Sequence, residues 1–227
     1  MRKIVFIGLV VLLASCKKEK LNSYTVSEGL GVYDIDSNFY KTVKIGETEW
    51  MAENLRVSRL TNGEKIKFSS SATEFKENEE KPMFTYYKND SSLNMTYGKL
   101  YNLQTVFSGV CPTGWHVPKE DEWLALLEGF GEEKHGGGAL KEVGFTYWNA
   151  PNTGATNETK LAFRGGGYLN QDGEFEGMGT KAAWWAEKTS FTFEFTPGAF
   201  FLENKNSKAY SYYQRGYAAL SIRCKKD

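Results

Sequence analysis

Pro118-Lys119-Glu120-Asp121-Glu122-Trp123-Leu124-Ala125-Leu126-Leu127-Glu128-Gly129-Phe130 carries the clearest helical spacing in the chain. Trp123, Leu126, Leu127 and Phe130 recur at i, i+3, i+4 and i+7, so one face is apolar. Glu120, Asp121 and Glu122 put negative charge at the positive end of the helix dipole. The spacing predicts a helix that starts after Pro118 and turns its stripe to a core. Three adjacent carboxylates also invite a general acid–base reading, but at a helix start they serve first as a solvated, dipole-satisfying turn. Lys119 offers no side-chain oxygen to the Glu122 amide, a deficit of about 1 kcal/mol at the cap. Packing must therefore hold this helix.

On either side of it the pattern changes to β. Downstream, residues 136–179 are rich in glycine and asparagine with scattered apolar residues, which predicts loops. Trp184-Trp185 opens a β-rich tail in which Phe191-Thr192-Phe193-Glu194-Phe195 alternates as a half-buried strand does. Residues 199–202 and 209–213 read as a hairpin about a polar turn, and Tyr217 to Cys224 as the closing strand. Upstream, residues 32–35 and 39–45 flank Asp36-Ser37-Asn38 as a second hairpin, and Ser69 to Lys81 reads as a charged surface loop. Asp34, Asp36 and Asn38 imitate the opening of a calcium loop. Phe39 replaces the glycine that loop needs, and Ile45 stands where its bidentate glutamate belongs, so no metal is expected there.

The N-terminus bears on location. Met1-Arg2-Lys3 is basic, Ile4 to Leu13 is an unbroken apolar run, and Leu13-Ala14-Ser15-Cys16 closes it with small residues and a cysteine. The run is short of the roughly 20 apolar residues that span a bilayer. It resembles a bacterial lipoprotein leader, which implies a signal peptide over residues 1–15, lipid on Cys16, a flexible tether over 16–30 and a single domain over 31–227. The alternative is ordinary secretion with a chance cysteine. Acyl chains at about 0.8 kcal/mol per buried methylene would hold the chain at the outer membrane or cell surface, and the membrane is then a partner through that anchor.

Composition sets limits on the other partners. The chain has 227 residues, 28 basic and 28 acidic, and loss of Arg2 and Lys3 with a leader would leave it two charges negative. Near-balanced, interspersed charge lacks the basic stripe that phosphate backbones demand, which argues against nucleic acid. Lipidation of Cys16 would leave Cys111 and Cys224, which should bridge in an oxidising compartment. Two free buried thiols are the alternative.

Several blocks in order are similar to one known family. Tyr33 to Gly46 with Glu49-Trp50-Met51-Ala52-Glu53-Asn54-Leu55 forms the first. Tyr97-Gly98-Lys99-Leu100-Tyr101-Asn102, Cys111 to Pro118 with Glu122-Trp123, Gly154-Ala155-Thr156-Asn157-Glu158, Trp184-Trp185 and Ser221-Ile222-Arg223-Cys224 follow. The chain from residue 32 to 227 resembles the Fibrobacter succinogenes major paralogous domain family. Gly114 to Trp123 is also similar to the helix entry of formylglycine-generating-enzyme-like domains. The resemblance implies an α+β, C-type lectin-like fold: a twisted antiparallel sheet with one or two helices and long loops. In such folds a long-range disulfide joins the first helix region to the last strand, and Cys111 and Cys224 occupy comparable places. After Trp184-Trp185 the family continues with hydroxyl residues, whereas this chain has Ala186-Glu187-Lys188-Thr189, so hydroxyl contacts there do not carry over.

The resemblance implies a displayed binding or adhesion module, with polysaccharide as the expected ligand or an envelope protein as the partner. The alternative is a structural or fimbrial accessory subunit. Sugar rings dock on exposed aromatic faces beside hydrogen-bonding groups. The six tryptophans, at 50, 115, 123, 148, 184 and 185, are expected in the core. Tyr168, Asn170, Asp172 and Glu174 are the candidate ligand-binding residues, although Asp172-Gly173 is first a hairpin turn signal. Copper-dependent chemistry of the formylglycine kind needs two cysteines close together to hold the metal, and the pair left in the mature chain lies at opposite ends of a long loop and is better used as a bridge. His116 and His135 stand without ligand-spaced partners. No catalytic residue, metal or cofactor is therefore assigned.

Overall fold

In the computed structural model, which describes residues 24–187, 198–215 and 217–227, Trp184 and Trp185 point to opposite faces of one strand and enter two different cores. The expected leader, Cys16 and the alternating run from Phe191 to Phe195 lie outside the described residues.

The architecture is mixed α+β with mostly antiparallel sheets. In chain order the first strands are β1 (Val26–Glu28), β2 (Val32–Tyr33), β3 (Phe39–Tyr40), β4 (Thr42–Ile45), β5 (Thr48–Met51) and β6 (Lys67–Phe68). Then come α1 (Ala72–Glu77), β7 (Met83–Thr85), α2 (Asn94–Tyr97), β8 (Leu100–Tyr101), α3 (Leu103–Phe107) and β9 (Trp115–His116). The longest described helices follow, α4 (Glu120–Glu128) and α5 (Glu132–Leu140). The last strands are β10 (Gly166–Leu169), β11 (Phe175–Met178), β12 (Lys181–Ala186), β13 (Gly198–Glu203), β14 (Ala209–Tyr213) and β15 (Lys225–Lys226).

Two five-stranded sheets organise the chain, in the orders β1-β4-β5-β15-β9 and β11-β10-β12-β13-β14. A three-stranded sheet, β6-β7-β8, and the small β2-β3 ribbon complete the described β structure. β12 is buried along nearly its whole length because it lies inside the second sheet with both faces covered. Trp184 reaches Phe163 in the core that also holds Trp123 and Phe200. Trp185 joins the core of Tyr101, Ile222 and Cys224, and its indole N–H donates to the Tyr101 carbonyl at 2.6 Å.

The helix read from the Trp123 stripe is α4. Trp123 stacks on Phe200 of β13 at 4.5 Å between ring centroids, with the planes only 8° apart. Lys119 gives no side-chain cap, as its chemistry dictates, but the Glu122 carboxylate reaches back to accept from the Lys119 amide at 2.8 Å. That supplies one half of a capping box.

Three stretches before the chain end depart from expectation. Residues 26–28, assigned to the tether, form β1 against β4, and Tyr24 packs against Phe130; the extended run gains a strand partner that its polar composition did not advertise. Residues 69–81 contain α1, capped by Ser71 and anchored by buried Phe75. The glycine-rich stretch after residue 135 is the C-terminal half of α5, with Gly136, Gly137 and Gly138 all buried. A Cβ at Gly137 would overlap the Lys208 backbone and one at Gly138 the Gly154 carbonyl. Glycine costs about 1 kcal/mol in a helix interior, but here it permits a close approach that a side chain would forbid.

The end of the chain fastens these layers. Rather than one regular closing strand, residues 219–221 make isolated bridges to Leu169, Tyr101 and Trp184 in turn, and only Lys225–Lys226 joins a sheet. Cys224 is bonded to Cys111 across 113 residues, with 5.9 Å between the Cα atoms. Arg223, 2 % exposed, donates through Nε and an NH2 group to Asn54 Oδ1 at 3.2 and 3.0 Å, and Trp184 donates to the same oxygen at 2.8 Å. Among the described residues no helix is long and apolar enough to cross a membrane.

Candidate functional site

The predicted hairpin forms, but its four candidate residues do different jobs. Asn170 Oδ1 accepts from the Asp172 and Glu174 amides, both at 2.9 Å, so its side chain is spent on the turn. Asp172 and Glu174 are exposed at the tip. Tyr168 is not on the loop at all. It lies in β10 at 5 % exposure with its ring in the core, and its hydroxyl donates to Glu176. Burial, then that hydrogen bond, pushes the Tyr168 hydroxyl well above the ordinary tyrosine range. Of the tryptophans, all but the half-buried Trp115 are fully inside the protein.

The exposed aromatics of the second sheet are elsewhere. Tyr168 meets Phe201 of β13 edge-on at 5.4 Å, and Phe201 meets Tyr212 of β14 at 5.8 Å. Tyr210, two residues before Tyr212 and so on the same face, lies with its ring 5.9 Å from Tyr212 and 21° from coplanar. An aromatic run thus crosses the sheet from buried Tyr168 to an edge strand where Tyr212 is 59 % exposed. Among the described strands β14 ends the sheet order, so the ledge lies at a sheet edge.

Polar groups flank the ledge. Glu203, at the end of β13, alternates onto the Phe201 face. Asn206 donates to Glu203 Oε2 at 3.2 Å. Burial and the Glu203 carboxylate both raise the Tyr210 hydroxyl. The turn carrying these groups is held from beneath by Lys141, whose ammonium donates to the carbonyls of Thr153, Glu203 and Asn206 at 2.8, 3.0 and 2.8 Å. Asn204, 3 % exposed, donates to the Asn149 and Ala150 carbonyls at 3.1 Å each. A platform of near-parallel rings with fixed carboxylate and amide groups at its side suits a sugar ring: C–H faces stack on tyrosine and hydroxyls reach the polar rim.

Sequence reasoning read Ala209 to Tyr213 only as one arm of a hairpin and so missed the ledge. The signal was present, since Tyr210 and Tyr212 fall two apart in a strand and must share a face. The histidines are settled by their neighbours. His116 lies between two carboxylates, with Nδ1 2.6 Å from Asp227 and Nε2 2.8 Å from Glu122. His135 is exposed, 3.5 Å from the Ser207 hydroxyl. Asp34, from the calcium-like run, accepts from the Asp36 and Asn38 amides and from the Tyr40 hydroxyl at 2.6 Å, which occupies both oxygens in a turn. Among the described residues no group of three or more His, Cys, Asp or Glu side chains is placed to hold a metal ion.

The family model described as the Fibrobacter succinogenes major domain matches residues 43–226. Neither a curated protein nor a solved structure matches.

Proposed function

We propose that this chain, which belongs to the Fibrobacter succinogenes major domain family, is a lipid-anchored cell-envelope module that binds polysaccharide on the tyrosine ledge of β14. The observation that carries the proposal is the pair of rings at Tyr210 and Tyr212, 21° from coplanar on the strand that ends the sheet among the described strands, with Glu203 and Asn206 beside them. The scaffold we propose is C-type lectin-like. Its supports are the helix entry after Trp115 and the Cys111–Cys224 bond between the helix region and the chain end. The basic start, short apolar run and Cys16 support export and anchoring at the outer membrane or cell surface.

Two experiments test the two halves. Affinity electrophoresis through gels containing bacterial capsular or plant cell-wall polysaccharides should retard the soluble domain in at least one gel, and Tyr212→Ala should abolish the retardation. Failure of every polysaccharide to retard it, while a membrane extract yields a stoichiometric protein partner, would instead favour the accessory-subunit role. Mass spectrometry of the protein from bacterial membranes should find the new N-terminus at Cys16 with acyl chains. An intact leader would defeat the anchoring proposal.

A further inference from the structure

On another part of the molecule a cleft of about 260 Å³ is walled by Lys41, Arg56, Lys160, Arg164 and Arg223, with Glu53 as its lone carboxylate. Glu53 is already engaged. One oxygen lies 3.3 Å from Arg56, and the other accepts from the Lys41 amide at 2.8 Å. Arg164 is held from outside the wall by Glu142 at 2.6 Å. Arg223 is fully buried and, among the described residues, has no carboxylate in ion-pairing distance. Its partners are neutral: the Asn54 amide oxygen and the Leu161 carbonyl, the latter at 2.5 Å. Arg56 is also buried, and its Nε has no hydrogen-bond partner. Lys41 and Lys160 stand exposed at the mouth, and no described carboxylate pairs with the ammonium of either.

A buried cation without a counter-charge is costly, and burying several together compounds the cost through their mutual repulsion. Desolvation, then repulsion from Arg164, draws the Arg223 guanidinium down to about 9, so it stays charged at neutral pH. Aromatic rings supply only part of the compensation. Arg56, Arg164 and Arg223 lie over Tyr40, Tyr147 and Phe163 at 4.4, 3.9 and 3.8 Å. Those stacks do something more useful: they fix three guanidinium planes before any ligand arrives. Planar forks held in place are suited to the paired oxygens of an oxyanion. The cleft falls below the 300–1,000 Å³ typical of pockets for drug-sized ligands, which limits it to one small group.

We propose that this cleft is a binding site for a small oxyanion, a carboxylate, sulfate or phosphate, either free or as a substituent of a larger molecule. The proposal stands apart from the tyrosine ledge, since the two sites share no residue. Calorimetry at low ionic strength with sodium phosphate, sulfate and glucuronate, and with chloride as the control, tests it. At least one oxyanion should bind saturably where chloride does not. Lys41→Gln with Lys160→Gln removes two exposed charges and should weaken binding about tenfold at an unchanged melting temperature. Arg164→Gln should weaken it at least as much, and Tyr212→Ala should leave it unchanged. Binding of glucuronate alone would mark the source as an acidic sugar, and binding of phosphate or sulfate as an inorganic ion. No saturable binding of any oxyanion, or affinity unaltered in both charge variants, would overturn the proposal.

Discussion

The Lys141 ammonium donates to the Glu203 carbonyl at 3.0 Å, joining two residues 62 apart in sequence and fixing the turn that carries the polar rim of the ledge. Lys141 has 0 % exposure, so its three carbonyl partners are taken by a single charged donor inside the protein. The ammonium serves as a strut.

Replacing it with an apolar side chain of similar length leaves those carbonyls without a donor. Unpaired buried acceptors cost about 1 to 3 kcal/mol each, and some will find water. Lys141→Met should therefore lower stability by about 3 kcal/mol in urea unfolding with the disulfide intact. It should also weaken polysaccharide binding more than its distance from the rings suggests, because Glu203 and Asn206 lose their support.

The same residue makes a pH prediction. Burial draws Lys141 down to about 8, and burial likewise draws Lys99 to about 8 against the pull of Asp36 and Asp34. Below pH 8 both are charged in folded and unfolded chains alike and add no slope. Between about 8 and the ordinary lysine value of 10.5 the unfolded chain holds more protons, so stability rises with pH. Tyr40, Tyr101 and Tyr168 act oppositely, since burial raises each and the folded chain keeps their protons above pH 10. Urea midpoints should climb from pH 8 towards 10 and then fall, and Lys141→Met should flatten the climb. A steady decline from pH 8 upward would contradict this.

Gly138 sets helix propensity against packing. Alanine gains about 1 kcal/mol over glycine in a free helix. Here its Cβ would strike the Gly154 carbonyl, a backbone atom that cannot rotate away. Overpacking costs about 1 to 3 kcal/mol, so Gly138→Ala should destabilise on balance. A higher melting temperature for this variant would mean that α5 is less tightly docked than described.

Cys224→Ser opens a loop of 113 residues. In the chain-entropy account the loss is about 4 to 5 kcal/mol, which is large against the 5 to 15 kcal/mol of an ordinary domain. Thermal unfolding with and without reductant should show it in the native chain and show no further effect of reductant in the variant.

How far the sequence could be read depended on the range of the contacts involved. α4 was legible because its stripe recurs within a few residues, and the Cys111–Cys224 bond because lipid on Cys16 would leave only that pair. The glycine-bearing half of α5 was hidden, since its glycines make sense only against Lys208 and Gly154, which come from other parts of the chain. β1 was hidden in the same way, its partner β4 lying beyond the β2-β3 ribbon. At the site, the hairpin around Asp172-Gly173 could be read, but Tyr168 could not be placed in the core without knowing that Phe201 would meet its ring. The ledge needed the sheet order, which puts β14 at an edge and turns an ordinary alternating strand into an exposed surface.

The most direct test of polysaccharide binding is an NMR titration of the soluble domain with oligosaccharides cut from a polysaccharide that retards it in affinity gels. The account predicts saturable shifts concentrated at Tyr210, Tyr212, Glu203 and Asn206, with the tip at Asn170 to Glu174 unmoved. Shifts confined to that tip, or none at saturating ligand, would contradict it.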